Sequence, residues 1–254
     1  MKNFLYITFI AAVLVSCAES YNIQGHSTLS SLDGSKLYLK VVSNNKLKNI
    51  DSCEVVHGKF RFSGQYDSTR MASLYMDDRS VMPLVIEQGD ISIRIDDAQQ
   101  KVTGSPLNDI LYEFLDKHQQ LDNQLVELSH RESQMLLDGI DEDVIGEQLS
   151  MEAAKIARLT DSLETTFIID NFDNVLGPGI FMMITSGYQY PILTPQIEEL
   201  MSKATDYFKN NPYVSDYYRV ANEIHQQMQE GGPQASTTIE EPTDSIVQSI
   251  LNAE

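Results

Sequence analysis

The side chains in this sequence that could do chemistry are two cysteines, five histidines and several runs of adjacent acidic residues. Zinc sites and dithiol redox centres need such residues at set spacings, as in His-Glu-x-x-His and Cys-x-x-Cys. Neither spacing occurs, and the sequence also lacks a phosphate-binding Gly-rich loop and a Gly-x-Ser-x-Gly nucleophile elbow. We therefore expect no bound metal, no cofactor and no enzymatic activity.

Cys17 lies where an apolar leader ends. Lys2 gives the start of the chain a positive charge, and residues 4–15 are almost wholly apolar. This pattern is typical of a secretion signal, and the apolar run is shorter than the roughly 20 residues that span a membrane. The Leu-Val-Ser-Cys segment at 14–17 resembles a bacterial lipobox. We predict that residues 1–16 are removed and that Cys17 is lipidated, with residues 17–20 as a tether. An ordinary signal peptide with a chance cysteine is the alternative.

The charge balance restricts the partners of this chain. It carries 37 acidic and 18 basic residues, which repel nucleic-acid phosphates and anionic lipid headgroups. We therefore expect no nucleic-acid partner, and a membrane contact that depends on the acyl chains. Cys17 is followed by Ala18 and Glu19 rather than by an Asp, which favours the outer membrane over the inner one. The predicted location is the cell envelope, with the body lipid-anchored.

Cys53 and His118 each have a functional and a structural interpretation. With Cys17 lipidated, Cys53 is left as a free thiol without a partner for an internal disulfide. It has no cationic neighbour in sequence to lower its pKa, so a small buried residue in a strand is favoured over a reactive thiol. His118 falls on the apolar stripe of a predicted helix, where a hydrogen-bonded core histidine is favoured over a metal ligand.

Adjacent acidic residues are candidates for acid–base chemistry or cation binding. A glycosidase needs two carboxylates facing each other across a cleft, and this chain has no Trp for stacking sugars. The run at 141–143 lacks the Gly and the closing Glu of a calcium-binding loop. Solvated surface is therefore the favoured interpretation of Asp77-Asp78, Asp96-Asp97, Asp141-Glu142-Asp143 and Glu240-Glu241.

Short alternating segments from residue 21 to residue 104 predict an antiparallel β-sandwich-like domain. In residues 36–42, Leu37, Leu39 and Val41 share one face, as in a half-buried strand. Residues 57–59 predict a turn, and residues 81–95 predict a hairpin around Gln-Gly-Asp at 88–90. Pro83 indicates that its strand is an edge strand or is bulged. Further strands are predicted at 50–56, 60–64 and 71–76.

The periodicity becomes helical after residue 104, which predicts an α-helical domain over 105–230. Ser105 can cap a helix whose first turn holds Pro106. Two long amphipathic stretches, broken at 138–141, predict an antiparallel helical hairpin. Shorter helices are predicted from residue 180, from 194 to 209 and from 214 to 228, with Gly177-Pro178-Gly179 as a breaker. Residues 231–254 predict a flexible acidic tail. The fold class is therefore α+β.

Several segments resemble a domain of unknown function found in lipoproteins of Bacteroides-type bacteria. They are Ile-Asp-Ser-Cys at 50–53, Gly-Lys-Phe-Arg-Phe at 58–62, Gly-Ser-Pro-Leu-Asn-Asp at 104–109 and Phe-Ile-Ile-Asp-Asn-Phe-Asp-Asn at 167–174. Many proteins with such a front half continue into a thioredoxin-like domain with Cys-x-x-Cys, as in envelope thiol–disulfide interchange lipoproteins. Because this sequence has no Cys-x-x-Cys, the resemblance implies a relative without that chemistry. It supplies no catalytic residues.

Three functional hypotheses remain open at the level of sequence. The leading one is a non-enzymatic binding or scaffolding role in the cell envelope, toward another envelope protein or a small ligand. The second is an accessory of an envelope thiol–disulfide system, in which Cys53 would form a mixed disulfide. The third is a hydrolase that brings scattered acids and histidines together in a cleft, and it requires a concave polar site.

Overall fold

Eight β-strands precede six α-helices in the computed structural model, which describes residues 19–43 and 46–229. The predicted signal peptide, the lipidation site Cys17 and the predicted acidic tail at 231–254 lie outside the described residues. The strands are β1 Ser20–Ser27, β2 Lys36–Ser43, β3 Lys46–Glu54, β4 Lys59–Gln65, β5 Arg70–Met76, β6 Arg79–Ile86, β7 Gly89–Ile95 and β8 Gln100–Thr103.

The strands form two four-stranded sheets, with the orders β4-β1-β7-β8 and β3-β2-β5-β6. All neighbours are antiparallel except β1 and β7, which run parallel. The alternation predicted for β2 is confirmed, because Leu37, Leu39 and Val41 are buried and join one apolar core with Ile91 and Ile93 of the other sheet. Two sheets that share one core make a sandwich, so the predicted α+β class with an N-terminal sandwich-like region is confirmed.

The hairpin predicted over 81–95 is wrong. Strand β6 pairs with β5, whereas β7 pairs with β1 in the opposite sheet. The short connection therefore carries the chain from one sheet to the other. Period-two alternation identifies which face of a strand is buried but not its partner, and a short turn suits both arrangements. The prediction for Pro83 is confirmed, because β6 is an edge strand.

The long helical hairpin is confirmed, and its two helices are joined by a turn at 138–141. The base of the hairpin belongs to the main core, while a separate small cluster holds its far end, formed by Leu128, Ile145, Leu149 and Ile156. The helices are α1 Pro106–Leu137, α2 Glu142–Asp170, α3 Leu176–Thr185, α4 Pro195–Lys203, α5 Asp206–Lys209 and α6 Pro212–Gln229.

Two helix predictions are wrong in detail. Gly177-Pro178-Gly179 is not a breaker but lies at the start of α3. The first three positions of a helix have no partner for their backbone N–H groups within the helix, so Pro178 costs no hydrogen bond. The single helix predicted from 194 to 209 is two helices, because Thr205 is extended and caps α5. A threonine hydroxyl that accepts from the backbone starts a new helix more readily than it continues an old one.

The buried amide of Asn108 joins the first helix to the free edge of β6. Its Oδ1 accepts from the Val85 backbone N–H at 2.8 Å, and its Nδ2 donates to the Val85 carbonyl at 2.7 Å and to Ser105 Oγ at 2.8 Å. Further along the same edge, the Tyr112 hydroxyl donates to the Pro83 carbonyl at 2.8 Å. Side chains of α1 thus occupy the positions that another strand would take and cover the edge.

The cap of α1 differs from the sequence expectation. Ser105 is the N-cap residue, as predicted, but its hydroxyl accepts from Asn108 rather than from a helix N–H. The carboxylate of Glu87 takes that role, accepting from the backbone N–H groups of Leu107 at 3.0 Å and Asn108 at 3.3 Å. A carboxylate at this end also interacts favourably with the helix dipole. The connection between β6 and β7, which contains Glu87, therefore fixes where α1 begins.

Candidate functional site

Cys53, the thiol singled out by the sequence, lies half-buried in β3. Burial raises the pKa of this thiol, and the backbone N–H of Arg61 offsets the rise only in part. A raised pKa leaves less thiolate at neutral pH, and the thiolate is the nucleophile in disulfide exchange. The surroundings of Cys53 thus favour the structural interpretation of this residue.

His118 is hydrogen-bonded, as predicted, but its partners are carboxylates. Its Nε2 lies 3.0 Å from Oε1 of Glu164, and its Nδ1 lies 3.0 Å from Oδ2 of Asp122. Glu164 is buried, and its second oxygen accepts from Nε2 of Gln196 at 3.1 Å. Because Asp122 and His118 belong to α1, Glu164 to α2 and Gln196 to α4, the network ties three helices together.

The electrostatics of this network favour a positively charged imidazole. The hydrogen bond to Glu164 raises the pKa of His118 most, against an opposing effect of burial. Burial, together with the charge of Glu164, also raises the pKa of Asp161. Both ring nitrogens of His118 are occupied by carboxylates, so this geometry leaves neither nitrogen to activate a nucleophile. Within 19–43 and 46–229, no group of three His, Cys, Asp or Glu residues could hold a metal ion.

A groove of about 540 Å³ lies between the outer face of the β3-β2-β5-β6 sheet and the helices α3, α5 and α6. Its size falls within the range of about 300–1,000 Å³ that is typical of small-molecule sites. Gly179 of α3 lies directly over Met71 of β5, since a Cβ added to Gly179 would be 2.8 Å from Met71 Cγ. Because Gly179 has no side chain, α3 can approach the sheet closely at this position.

The walls of the groove are mainly apolar and partly exposed. Val42, Met183 and Tyr207 are 37%, 43% and 50% exposed and lie close together in one concavity. Met71 and Met182 add flexible thioethers, which adapt to ligands of different shape. Exposed apolar side chains gathered in a concavity are typical of ligand grooves and interaction surfaces.

Two cations and no carboxylates line the groove among the described residues. They are Lys40 and Arg70, and Arg70 forms an ion pair with Asp67. The ammonium of Lys40 lies 4.2 Å from the ring centroid of Tyr75, which is itself buried. A cation held over an aromatic face is partly shielded from water, and Lys40 forms no ion pair with the described residues, unlike Arg70.

A second cavity, of about 310 Å³, opens beside the 65–70 segment and is lined by Tyr21, Asp51 and Arg70, among others. Burial raises the pKa of the Tyr21 hydroxyl, so this group is neutral at physiological pH. The cavity is smaller than the groove and lies at the lower limit of typical ligand sites. The groove is therefore the stronger candidate for a binding site.

Comparison with known proteins identifies one part of the chain. None of the helices in the described residues combines the length and apolar character needed to cross a bilayer. No curated protein matches the sequence. Residues 21–111 match the family described as Domain of unknown function (DUF4369). That segment contains nearly all of both sheets and the start of α1, including Asn108; the helical wall of the groove lies beyond it. The front of this chain, from residue 21 to residue 111, is thus a match to a domain of unknown function.

Proposed function

We propose that this chain is a lipid-anchored protein of the cell envelope that holds an apolar small ligand in the groove, in a binding rather than a catalytic role. The observation that carries the proposal is the groove itself, where Val42, Met183 and Tyr207 remain exposed beside the sheet. An apolar concavity of this size with few polar groups is the usual form of a ligand site. The lipobox-like segment that ends at Cys17 supports the proposed location in the cell envelope.

Lipidation of Cys17 can be tested separately from binding. We expect cells fed an alkyne-bearing fatty acid to incorporate it into the wild-type chain but not into Cys17→Ala, since Cys17 supplies the attachment point. In-gel fluorescence after coupling to a dye measures the incorporation, and mass spectrometry of the N-terminus shows whether residues 1–16 are removed. Cys53→Ser is the matched control, because it deletes the other thiol and should leave labelling intact. Labelling that persists in Cys17→Ala would show that Cys17 is not the lipidation site.

Binding in the groove can be tested on the full chain in its own membranes. We expect a neutral long-chain alcohol that carries a photoreactive diazirine to crosslink to peptides containing Met182, Met183 or Tyr207. Met183→Glu should lower this labelling about tenfold, because placing an apolar chain beside an unpaired carboxylate costs more than about 1.4 kcal/mol. Quantitative mass spectrometry of the crosslinked peptides provides the measurement.

The matched control for groove binding is Met151→Glu. Met151 is 70% exposed on α2 and is not part of the groove, so this substitution adds the same charge without touching the proposed site. We expect it to leave crosslinking of the groove peptides unchanged. Equal loss in both variants, or labelling spread evenly over the surface, would contradict a ligand site in the groove.

The alternative role, as an accessory of an envelope thiol–disulfide system, has weaker support. It depends on Cys53, whose half-buried position and raised pKa both slow attack on a disulfide. The hydrolase hypothesis depends on a polar cleft with an activated nucleophile, and His118 already uses both ring nitrogens on Asp122 and Glu164. The groove therefore remains the feature that best supports a function.

A further inference from the structure

The charge balance of the groove is the reverse of that of the whole chain. Acidic residues outnumber basic ones by 37 to 18 in the sequence, yet the described residues that line the groove include Lys40 and Arg70 and no acid. The lysine ion pairs of the described residues involve Lys101, Lys117 and Lys203. The charge of Lys40 is therefore not neutralised by a carboxylate in this part of the chain, unlike that of Arg70, which pairs with Asp67.

Lys40 is also held at a defined place in the groove. Its ammonium lies 4.2 Å from the centroid of the Tyr75 ring and 5.8 Å from that of Tyr38. Tyr75 is 3% exposed, so the lysine lies against a rigid aromatic surface rather than extending into water. A cation in such a position attracts an anionic group more strongly than a freely solvated lysine does.

The shape of the groove suits an elongated molecule. Each of the four strands of the sheet supplies lining residues, with Leu47 on β3, Lys40 on β2, Met71 on β5 and Val81 on β6. Three spacings between neighbouring strands make a distance of about 14 Å. Lys40 is on β2, the second strand of the sheet, and two strand spacings of about 10 Å in total separate it from β6. Over this distance Met71, Val81 and Pro83 supply apolar side chains, beside the polar Ser73, Ser80 and the ion-paired Arg70. The groove therefore places the Lys40 ammonium beside apolar side chains of β5 and β6.

We infer that the groove binds a single-chain aliphatic carboxylate. Its carboxylate pairs with the Lys40 ammonium, and its apolar chain crosses β5 and β6 beneath Met182 of α3. This inference rests on the proposed function and names the ligand class for that same groove. The volume of about 540 Å³ corresponds to one small ligand, which favours a free single chain over a two-chain lipid.

The test compares two diazirine probes of equal chain length, one ending in a carboxylate and the other in an alcohol, on the full chain in membranes at pH 8. We expect the carboxylate to half-saturate crosslinking of the groove peptides at about a tenfold lower concentration than the alcohol, since one charge-assisted contact contributes roughly that factor. Lys40→Met should remove the difference and leave the alcohol unaffected. Lys36→Met should preserve the difference, because Lys36 lies near Tyr38 on the same strand but outside the groove.

The outcomes separate the two proposals. If both probes label the groove with equal affinity in the wild-type chain, recognition of a carboxylate is wrong while apolar binding in the groove stands. If neither probe labels the groove, both proposals fail. If Lys40→Met still prefers the carboxylate probe, the proposed role of Lys40 is wrong. If Lys40→Met and Lys36→Met both lose the preference, the effect comes from the overall charge of the chain rather than from Lys40.

Discussion

Replacing Asn108 by Leu is expected to lower the free energy of unfolding by about 3–4 kcal/mol. The substitution removes both hydrogen bonds of the amide to Val85 and leaves a buried N–H and a buried carbonyl without partners. Each such group costs about 1–3 kcal/mol, and the Ser105 hydroxyl loses its donor as well. Urea denaturation followed by far-ultraviolet circular dichroism measures the loss, since the sequence contains no Trp.

The matched control is Asn123→Leu, at an exposed position of the same helix. Its amide oxygen accepts only a local contact, from Gln119, so we expect a change below about 0.5 kcal/mol. Asn108→Asp is a second comparison, because it retains the acceptor for the Val85 N–H but loses the donor for the Val85 carbonyl. A loss for Asn108→Leu no larger than that of Asn123→Leu would show that α1 does not substitute for a strand at the edge of β6.

Replacing His118 by Gln is expected to lower the free energy of unfolding by about 2 kcal/mol near pH 6. It removes the cationic partner of Glu164, a buried carboxylate whose other oxygen is held by Gln196. Loss of one partner of a buried ion pair costs about 3–5 kcal/mol, and we reduce this figure because the His118 side chain is 28% exposed.

The cost of this substitution should depend on pH. The pKa of His118 is raised in the folded chain, chiefly by the hydrogen bond to Glu164. A histidine with a raised folded pKa stabilises the fold fully below its unfolded pKa of about 6.5, and this contribution is lost as the pH rises through the folded pKa. We therefore expect the wild-type chain and His118→Gln to differ more in stability at pH 6 than at pH 9.

The measurement is a series of urea denaturation curves between pH 5.5 and 9, with imidazole titrations by nuclear magnetic resonance on the same samples. His130→Gln is the matched control, because His130 is an exposed histidine on the same helix. A stability difference that grows as the pH rises, or a measured His118 pKa below the ordinary histidine value of about 6.5, would contradict a charged imidazole between Asp122 and Glu164.

The elements of this fold follow from local patterns, but their pairing does not. The alternation of Leu37, Leu39 and Val41 predicts β2 because each residue alternates between the core and the other face. The same kind of pattern in residues 81–95 suggested a hairpin, although β6 and β7 belong to different sheets. Partner choice depends on which distant strand completes the core, which is a property of the whole chain rather than of a short segment.

Helix boundaries show the same division between local and tertiary effects. The apolar stripes predict α1 and α2 because their period is set by the geometry of one helix. The start of α1 is instead fixed by Glu87, a residue about 20 positions earlier that lies beside the helix only after the strands have formed. The break before α5 occurs at Thr205. The spacing of apolar residues in the sequence shows no interruption at this position.

The candidate site was largely inaccessible to sequence reasoning. Lys40, Met71, Met183 and Tyr207 come from separate strands and helices, so no spacing in the sequence links them. The helix predicted from residue 180 begins with a run of apolar residues, yet Met183 of this run lies partly exposed in the groove. Similarly, His118 could be assigned to a helix face, but its contact with Glu164 depends on how α1 and α2 lie against each other.

The two separate apolar clusters of the helical hairpin imply an uneven distribution of stability. Four buried side chains, Leu128, Ile145, Leu149 and Ile156, hold the far end, whereas its base shares the large core with both sheets. Segments that bury little apolar surface open at lower free energy than the rest of a protein. The last turns of the hairpin, where Leu137 is 88% exposed, can therefore unwind and re-form while the groove keeps its shape. The fold therefore combines a stable sandwich and groove with a helical arm whose far end opens at lower free energy.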